Sequence, residues 1–189
     1  MAAAATRATS AKVLITGGTG FLASHCVDEA IRQGYQVRCT VRDVDSIKSQ
    51  HLLRAIKERH GKSIKLIAAS LESDEGWASA VDGCTYVIHA AAPTDESFGG
   101  TADKAECERW MAINSEATVR LLKLSHAAHV QRVVLTSSVA ASTPQPEYYL
   151  PTALDSRKPR TPYDPAAPPA TEADWTPLEG LKPGLAQSF

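Results

Sequence analysis

Thr16-Gly17-Gly18-Thr19-Gly20-Phe21-Leu22-Ala23 decides how the rest of the chain is read. The stretch joins an apolar, β-branched run, Lys12-Val13-Leu14-Ile15-Thr16, to an amphipathic segment that runs from about Gly20 to Gln33 and stops at Gly34. A glycine-rich link between a strand and a helix is the place where backbone amides at the helix's positive end can receive a phosphate. Gly17 permits a tight turn, and Gly20 lets a pyrophosphate approach the backbone. Ala23 takes the third position, where the helix packs closely on the strand and Gly or Ala fits. A Walker-type loop is excluded, because no Gly-Lys-Ser/Thr follows.

Outward from this turn, β-rich apolar runs alternate with helix-length amphipathic stretches, the pattern of βαβ units and a parallel sheet. Tyr35 to Val41 predicts a second strand, and Asp45 to His60 a second helix closed by Gly61. Ser63 to Ala69 predicts a third strand, Ser73 to Val81 a short helix, and Tyr86 to Ala90 a fourth strand. The longest helix should begin near Glu106, since Trp110, Ile113, Ala117, Leu121, Leu124 and Ala128 recur at spacings of three and four and share one face. That face must lie on the sheet. Gln131 to Thr136 predicts a fifth strand ending in Ser137-Ser138. Right-handed crossovers wind these strands into a Rossmann-type, doubly wound α/β sheet of order 3-2-1-4-5, incomplete at its C-terminal side.

Ten of the eleven prolines lie after Thr143, so regular structure belongs to the first three-quarters of the chain. The expected division is a tail over 1–11, a nucleotide-binding domain over 12–142, and a proline-rich loop region over 143–189. With 20 basic and 21 acidic residues, and no long block of like charge, neither nucleic acid nor a membrane surface is an expected partner. The cysteines Cys26, Cys39, Cys84 and Cys107 form no C-x-x-C pair, and the six histidines have no ligand spacing, so no metal site or disulfide framework is expected. His89 lies within the fourth strand, in the core or facing the cofactor, and His126 and His129 complement the negative end of the longest helix. No secretory signal or membrane span stands out, which makes a reducing, cytoplasmic setting the expectation.

From Ala11 to Val139 the chain resembles extended short-chain dehydrogenase/reductases of the epimerase/dehydratase superfamily, in particular the dihydroflavonol-reductase-like branch. T-G-G-T-G-F-L-A is similar to that family's T-G-x-x-G-F-x-G/A motif. Ala80-Val81-Asp82-Gly83-Cys84 with Val87-Ile88-His89-Ala90-Ala91-Ala92-Pro93 resembles its A-x-D-G-C and V-x-H-x-A-x-P stretch. Ile113 to Thr118 resembles its N-V-x-G-T helix segment, and Arg132 to Ser138 its R-V-V-x-T-S-S strand. The resemblance implies cofactor-binding roles for Gly17, Gly20, Phe21 and Leu22 at the turn, and for Ala90, Ala91 and Pro93 beside the cofactor ribose and diphosphate.

Rossmann domains selective for NAD place an acid roughly 20 residues beyond the glycines. Here that region reads Cys39-Thr40-Val41-Arg42-Asp43, and a guanidinium at Arg42 suits a 2′-phosphate that an acid would repel. NADP(H) is the expected cofactor, with Lys48 assisting. The plain alternative is a solvated Arg42 paired with Asp43 or Asp45. Where the family has Asp-Leu near the adenine, this chain has Ser70-Leu71. Carbonyl reduction in the family uses a Ser, a Tyr and a Lys. The resemblance assigns the Ser to Ser138, leaves Ser137 structural, and has Asn114 holding the active-site helix. No Y-x-x-x-K occurs, because Tyr148, Tyr149 and Tyr163 are followed four residues later by Thr152, Ala153 and Ala167. Glu172-Ala173-Asp174-Trp175 resembles the acidic segment that precedes the catalytic Tyr.

Three functions remain open. One is an NADP-dependent reductase of a small-molecule ketone or aldehyde, of which this chain is the cofactor-binding part. Another is a catalytically silent NADP(H)-binding module. The third, a sugar-nucleotide epimerase or dehydratase relative, is disfavoured by Arg42. An incomplete sheet leaves one edge to be covered by a second copy or a partner.

Overall fold

The computed structural model describes residues 11–93 and 104–138. Nearly all of the expected tail and the whole proline-rich region 143–189 lie outside the described residues. Five parallel strands, β1 (Lys12–Thr16), β2 (Gln36–Val41), β3 (Lys65–Ala68), β4 (Tyr86–His89) and β5 (Arg132–Leu135), form a sheet in the order β3-β2-β1-β4-β5. Four helices, α1 (Phe21–Arg32), α2 (Ile47–His60), α3 (Trp77–Val81) and α4 (Lys104–Ala127), alternate with them among the described residues. The chain divides into two compact units, Met1–Pro93 with Ile113–Thr136, and Thr94–Ala112 with Ser137–Phe189. The sheet belongs to the first.

Alternation along β1 builds two cores. Val13 and Ile15 pack with Val27 and Ile31 of α1 and with Leu52 and Ile56 of α2. Leu14, on the opposite face, packs with Trp77 and Val81 of α3, Val87 of β4 and Leu121 of α4. A parallel sheet needs cover on both faces, and β1 at its centre is apolar on both for that reason. Each fully buried Leu, Ile or Val contributes about 1.5–3 kcal/mol relative to exposure. The predicted stripe on α4 does lie on the sheet where the first unit contains it: Ala117 and Leu121 are buried, and Leu124 and Ala128 pack against the second core. Ser125 is buried as well, a polar residue the apolar stripe does not include.

The element boundaries differ from expectation for local reasons. α2 starts at Ile47 rather than Asp45, because Asp43 to Ser46 form its cap: Asp45 N donates to Asp43 Oδ1 (2.8 Å), and Ser46 Oγ accepts from Ser49 N (3.3 Å). α3 starts at Trp77 rather than Ser73. The Ser73 side chain takes the Glu75 N–H (3.1 Å) into a local turn, and Gly76 adopts φ +79°, which a helix does not admit. β3 is shortened at both ends to Lys65–Ala68, and α4 begins two residues before Glu106.

Candidate functional site

The glycine turn hangs on β2. Gly17 N donates to Thr40 Oγ1 (3.1 Å) and Gly18 N to Thr40 O (2.9 Å), while Gly20 N closes the turn on Gly17 O (2.8 Å). Gly17 holds φ +69°, a left-handed conformation costly for any residue with a Cβ. Gly18, to which the sequence motif assigns no role, is required sterically, since a Cβ there would lie 2.7 Å from Cys39 Cβ. Burial pushes the Cys39 thiol up to about 12, so it sits beneath the turn as a neutral packing group. At Gly20 the situation is reversed: among the described residues, and apart from its chain neighbours, a Cβ would meet only Gly17 O within 4 Å, at 3.1 Å. The first-turn N–H groups of α1 lack intrahelical acceptors, and among the described residues neither an acid in the turn nor a capping side chain satisfies them. Phe21 and Leu22 stand at this helix start with 84% and 47% of their surfaces exposed.

The end of β4 is tied to the end of β1 through one hydroxyl. Thr16 Oγ1 accepts from Ala90 N (3.1 Å) and Ala91 N (3.0 Å) and lies 2.7 Å from His89 Nδ1. With both lone pairs engaged, the hydroxyl's one hydrogen goes to His89, so Nδ1 is the acceptor and the neutral ring carries its proton on Nε2. Burial lowers the His89 pKa and favours the same state. This clamp holds Ala91 against the glycine turn, where a Cβ on Gly17 would stand 3.1 Å from Ala91 Cα. Ala90 and Pro93 flank it, both half-buried. Of the two residues that set this corner, the sequence marks His89 only as a core or cofactor-facing group and Thr16 only as part of the motif.

Arg42 follows β2 directly and is exposed. Among the described residues no hydrogen bond or ion pair holds its guanidinium, and Asp43 is engaged within its own loop by Asp45 N. Lys48, also exposed, lies in the first turn of α2, which contains no acid. Beyond β3, Ala69 N donates to Val41 O (2.9 Å), which fastens the next loop to the end of β2. In that loop Ser70 Oγ accepts from Glu72 N (3.3 Å), Ser70 O accepts from Trp77 Nε1 (2.8 Å), and Leu71 O accepts from Arg120 Nη1 (3.1 Å). Arg120 Nε pairs with the Asp74 carboxylate. The turn, Arg42, the 69–76 loop and Ala90 to Pro93 thus line one edge of the sheet, at the C-terminal ends of β1 to β4. Open parallel sheets bind ligands along that edge.

Ser137 and Ser138 lie two and three residues beyond the end of β5, are exposed, and belong to the second unit. Asn114 is half-buried on α4. Two cavities lie away from the turn. One, of about 830 Å³, is lined by Cys26 and Ala30 of α1 with Tyr86, Ile88 and Val134; the other, of about 870 Å³, lies among Lys12, Arg38, Lys62 and Lys65. No residue of the glycine turn lines either.

Known proteins carry the same pattern. Residues 13–166 match the family described as NAD dependent epimerase/dehydratase. The chain is 35% identical over 131 residues to cinnamoyl-CoA reductase 1 of Arabidopsis thaliana, covering 68% of this chain and 34% of that protein. It is 37% identical over 127 residues to dihydroflavonol 4-reductase of Dianthus caryophyllus, covering 67% and 33%. The chain therefore spans about a third of the length of these relatives. Among solved structures, Pen from Bacillus thuringiensis superposes with a TM-score of 0.60 at 27% identity, over 73% of this chain and 41% of that one. A short-chain dehydrogenase/reductase superfamily protein from Agrobacterium tumefaciens, solved with bound NAD, gives 0.52 at 27% identity over 71% and 35%. The strand order, the glycine turn on β1 and these matches agree, and the chain belongs to the NAD dependent epimerase/dehydratase family, within the extended short-chain dehydrogenase/reductases.

Proposed function

We propose that this chain is the NADP(H)-binding part of a carbonyl reductase similar to dihydroflavonol and cinnamoyl-CoA reductases. The observation that carries the reading is Arg42, an exposed guanidinium at the tip of β2 that no group among the described residues holds. Lys48 adds a second cation at the acid-free start of α2, where positive charge is unfavourable unless an anion joins it. A 2′-phosphate is such an anion, and a guanidinium can meet it with paired, charge-assisted hydrogen bonds.

The residues fit a dinucleotide. The clearance over Gly20 and the free first-turn amides of α1 receive the diphosphate, with Phe21 and Leu22 at the rim. Ala91, clamped by Thr16, would leave the ribose room beside the turn, and Ser70 and Leu71 would hold the adenine side. When bound, the cofactor supplies a hydride. Ser138, three residues beyond the end of β5, would donate a hydrogen bond to the oxygen of a small ketone or aldehyde and stabilise the charge that develops there.

Titrating NADPH and NADH against the wild-type chain, Arg42→Ala and Gly20→Val tests the reading. The wild type should prefer NADPH. Arg42→Ala should lose that preference by about 10–100-fold, the range of one charge-assisted contact. Gly20→Val should bind neither cofactor while keeping its circular dichroism spectrum, because a branched side chain fills the space the phosphate needs. Equal wild-type affinities for the two cofactors would remove NADP(H) from the reading.

A further inference from the structure

Arg120 lies on α4, in the middle of the chain, and belongs to no motif of the turn or of the strand ends. Its side chain is only 19% exposed, and it reaches the loop between β3 and α3 at two points, through Nη1 to Leu71 O and through Nε to the Asp74 carboxylate. The carbonyl of Leu71 and the N–H of Glu72 belong to one trans peptide and point in opposite directions. Arg120 draws the carbonyl one way, and on the other side the N–H is taken by Ser70 Oγ. One guanidinium therefore fixes the plane of the 71–72 peptide. Through it, the Ser70 hydroxyl has one lone pair committed and its hydrogen left to donate. The start of the loop is anchored separately, by Trp77 Nε1 and Ser73 N on Ser70 O and by Ala69 N on Val41 O. Arg120 is thus the contact that orients the 71–72 peptide, beside the others that attach Ser70 to the fold.

We infer that Arg120 is a positioning residue for the adenine side of the nucleotide: it holds Ser70 and Leu71 in the arrangement that receives the base, and does not touch the ligand itself. The inference rests on the cofactor reading above. It adds that adenine recognition depends on a helix distant in sequence. The single hydroxyl of Ser70 has few ways to hold a base, so its orientation has to be imposed.

The test compares three probes on the full 189-residue chain. NADPH carries every contact, adenosine 2′,5′-bisphosphate carries the adenine side, and inorganic pyrophosphate reads the glycine turn. Arg120→Leu should weaken NADPH and adenosine 2′,5′-bisphosphate by about tenfold each, which corresponds to ~1.4 kcal/mol, and leave pyrophosphate unchanged. Arg120→Lys, which keeps a cation opposite Asp74, should recover part of the loss and covers the case in which the Leu variant does not fold. A purely structural role would lower thermal stability without changing the ratio between the adenine-bearing probes and pyrophosphate. That result, or unaltered binding of all three, overturns the inference. Failure of the wild type to bind any adenine nucleotide overturns the cofactor reading and this inference with it.

Discussion

At the scale of single residues, Thr16 and His89 combine a packing role with a protonation requirement. His89 must be neutral to accept the Thr16 hydrogen, and burial already lowers its pKa in the folded chain. The unfolded chain, with an ordinary histidine pKa of about 6.5, therefore takes up the proton first as the pH falls. From there down the unfolded state holds more protons than the native state, so stability present above about pH 6.5 is lost below it. Urea midpoints should be flat near neutrality and fall below about pH 6.5 in the wild type, and His89→Gln should remove most of that slope. Equal slopes in both proteins would sink the idea. The sequence shows where His89 stands but not what it touches, because its partner is 73 residues away. The glycine turn is legible because Gly17 and Gly20 shape it locally, through the positive φ of Gly17 and the Gly20 N to Gly17 O bond. Even there Gly18 is missed, since the atom it must avoid belongs to Cys39 on another strand.

Among the elements, α3 shows what periodicity cannot deliver. A five-residue helix has no stability of its own, and its C-terminal carbonyls need an external donor. Arg38 of β2, buried at 7% exposure, supplies it, with Nη1 2.8 Å from Ser79 O, 2.8 Å from Ala80 O and 2.9 Å from Asp82 O. An arginine inside a strand of the central sheet reads as an interruption in sequence, yet here it caps a neighbouring helix with a full charge. Arg38→Leu should cost about 2–4 kcal/mol, because it strands carbonyls away from water, and Arg38→Lys should cost less. Denaturant titration with circular dichroism measures both. A change in the Leu variant within about 0.5 kcal/mol, the scale of ordinary surface substitutions, would mean that water caps α3 as well as Arg38 does. Element identity and order follow from alternation and turn residues. The boundaries of α2 and α3 shift because Ser and Asp side chains compete with the helix for backbone groups.

For the molecule as a whole, topology was legible because right-handed crossovers leave few ways to wind five such strands. What covers the far side was not. β5 is the outer strand among the described residues, with Val134 and Leu135 each 51% exposed, and a second copy of the chain or a partner chain is our proposal for its cover. The 189 residues contain Ser138 but no Y-x-x-x-K. By themselves they should bind NADPH yet turn over ketones and aldehydes far below the roughly 10 s⁻¹ of a typical enzyme, since a positioned acid contributes about 10²–10⁴-fold. An assay of the purified chain with NADPH and a carbonyl panel decides this, and turnover near the typical rate would show that another group serves as the acid.

The central place of β1 between β2 and β4 also bears on synthesis. β2 leaves the ribosome soon after β1 and can pair with it at once. The other edge of β1 waits for Tyr86–His89, 73 residues further on at the Thr16–His89 contact. At translation rates of about 5–20 residues per second that interval is roughly 4–15 s. Throughout it, Val13-Leu14-Ile15 presents an unpaired apolar strand edge to the solvent or to whatever chaperone meets the nascent chain.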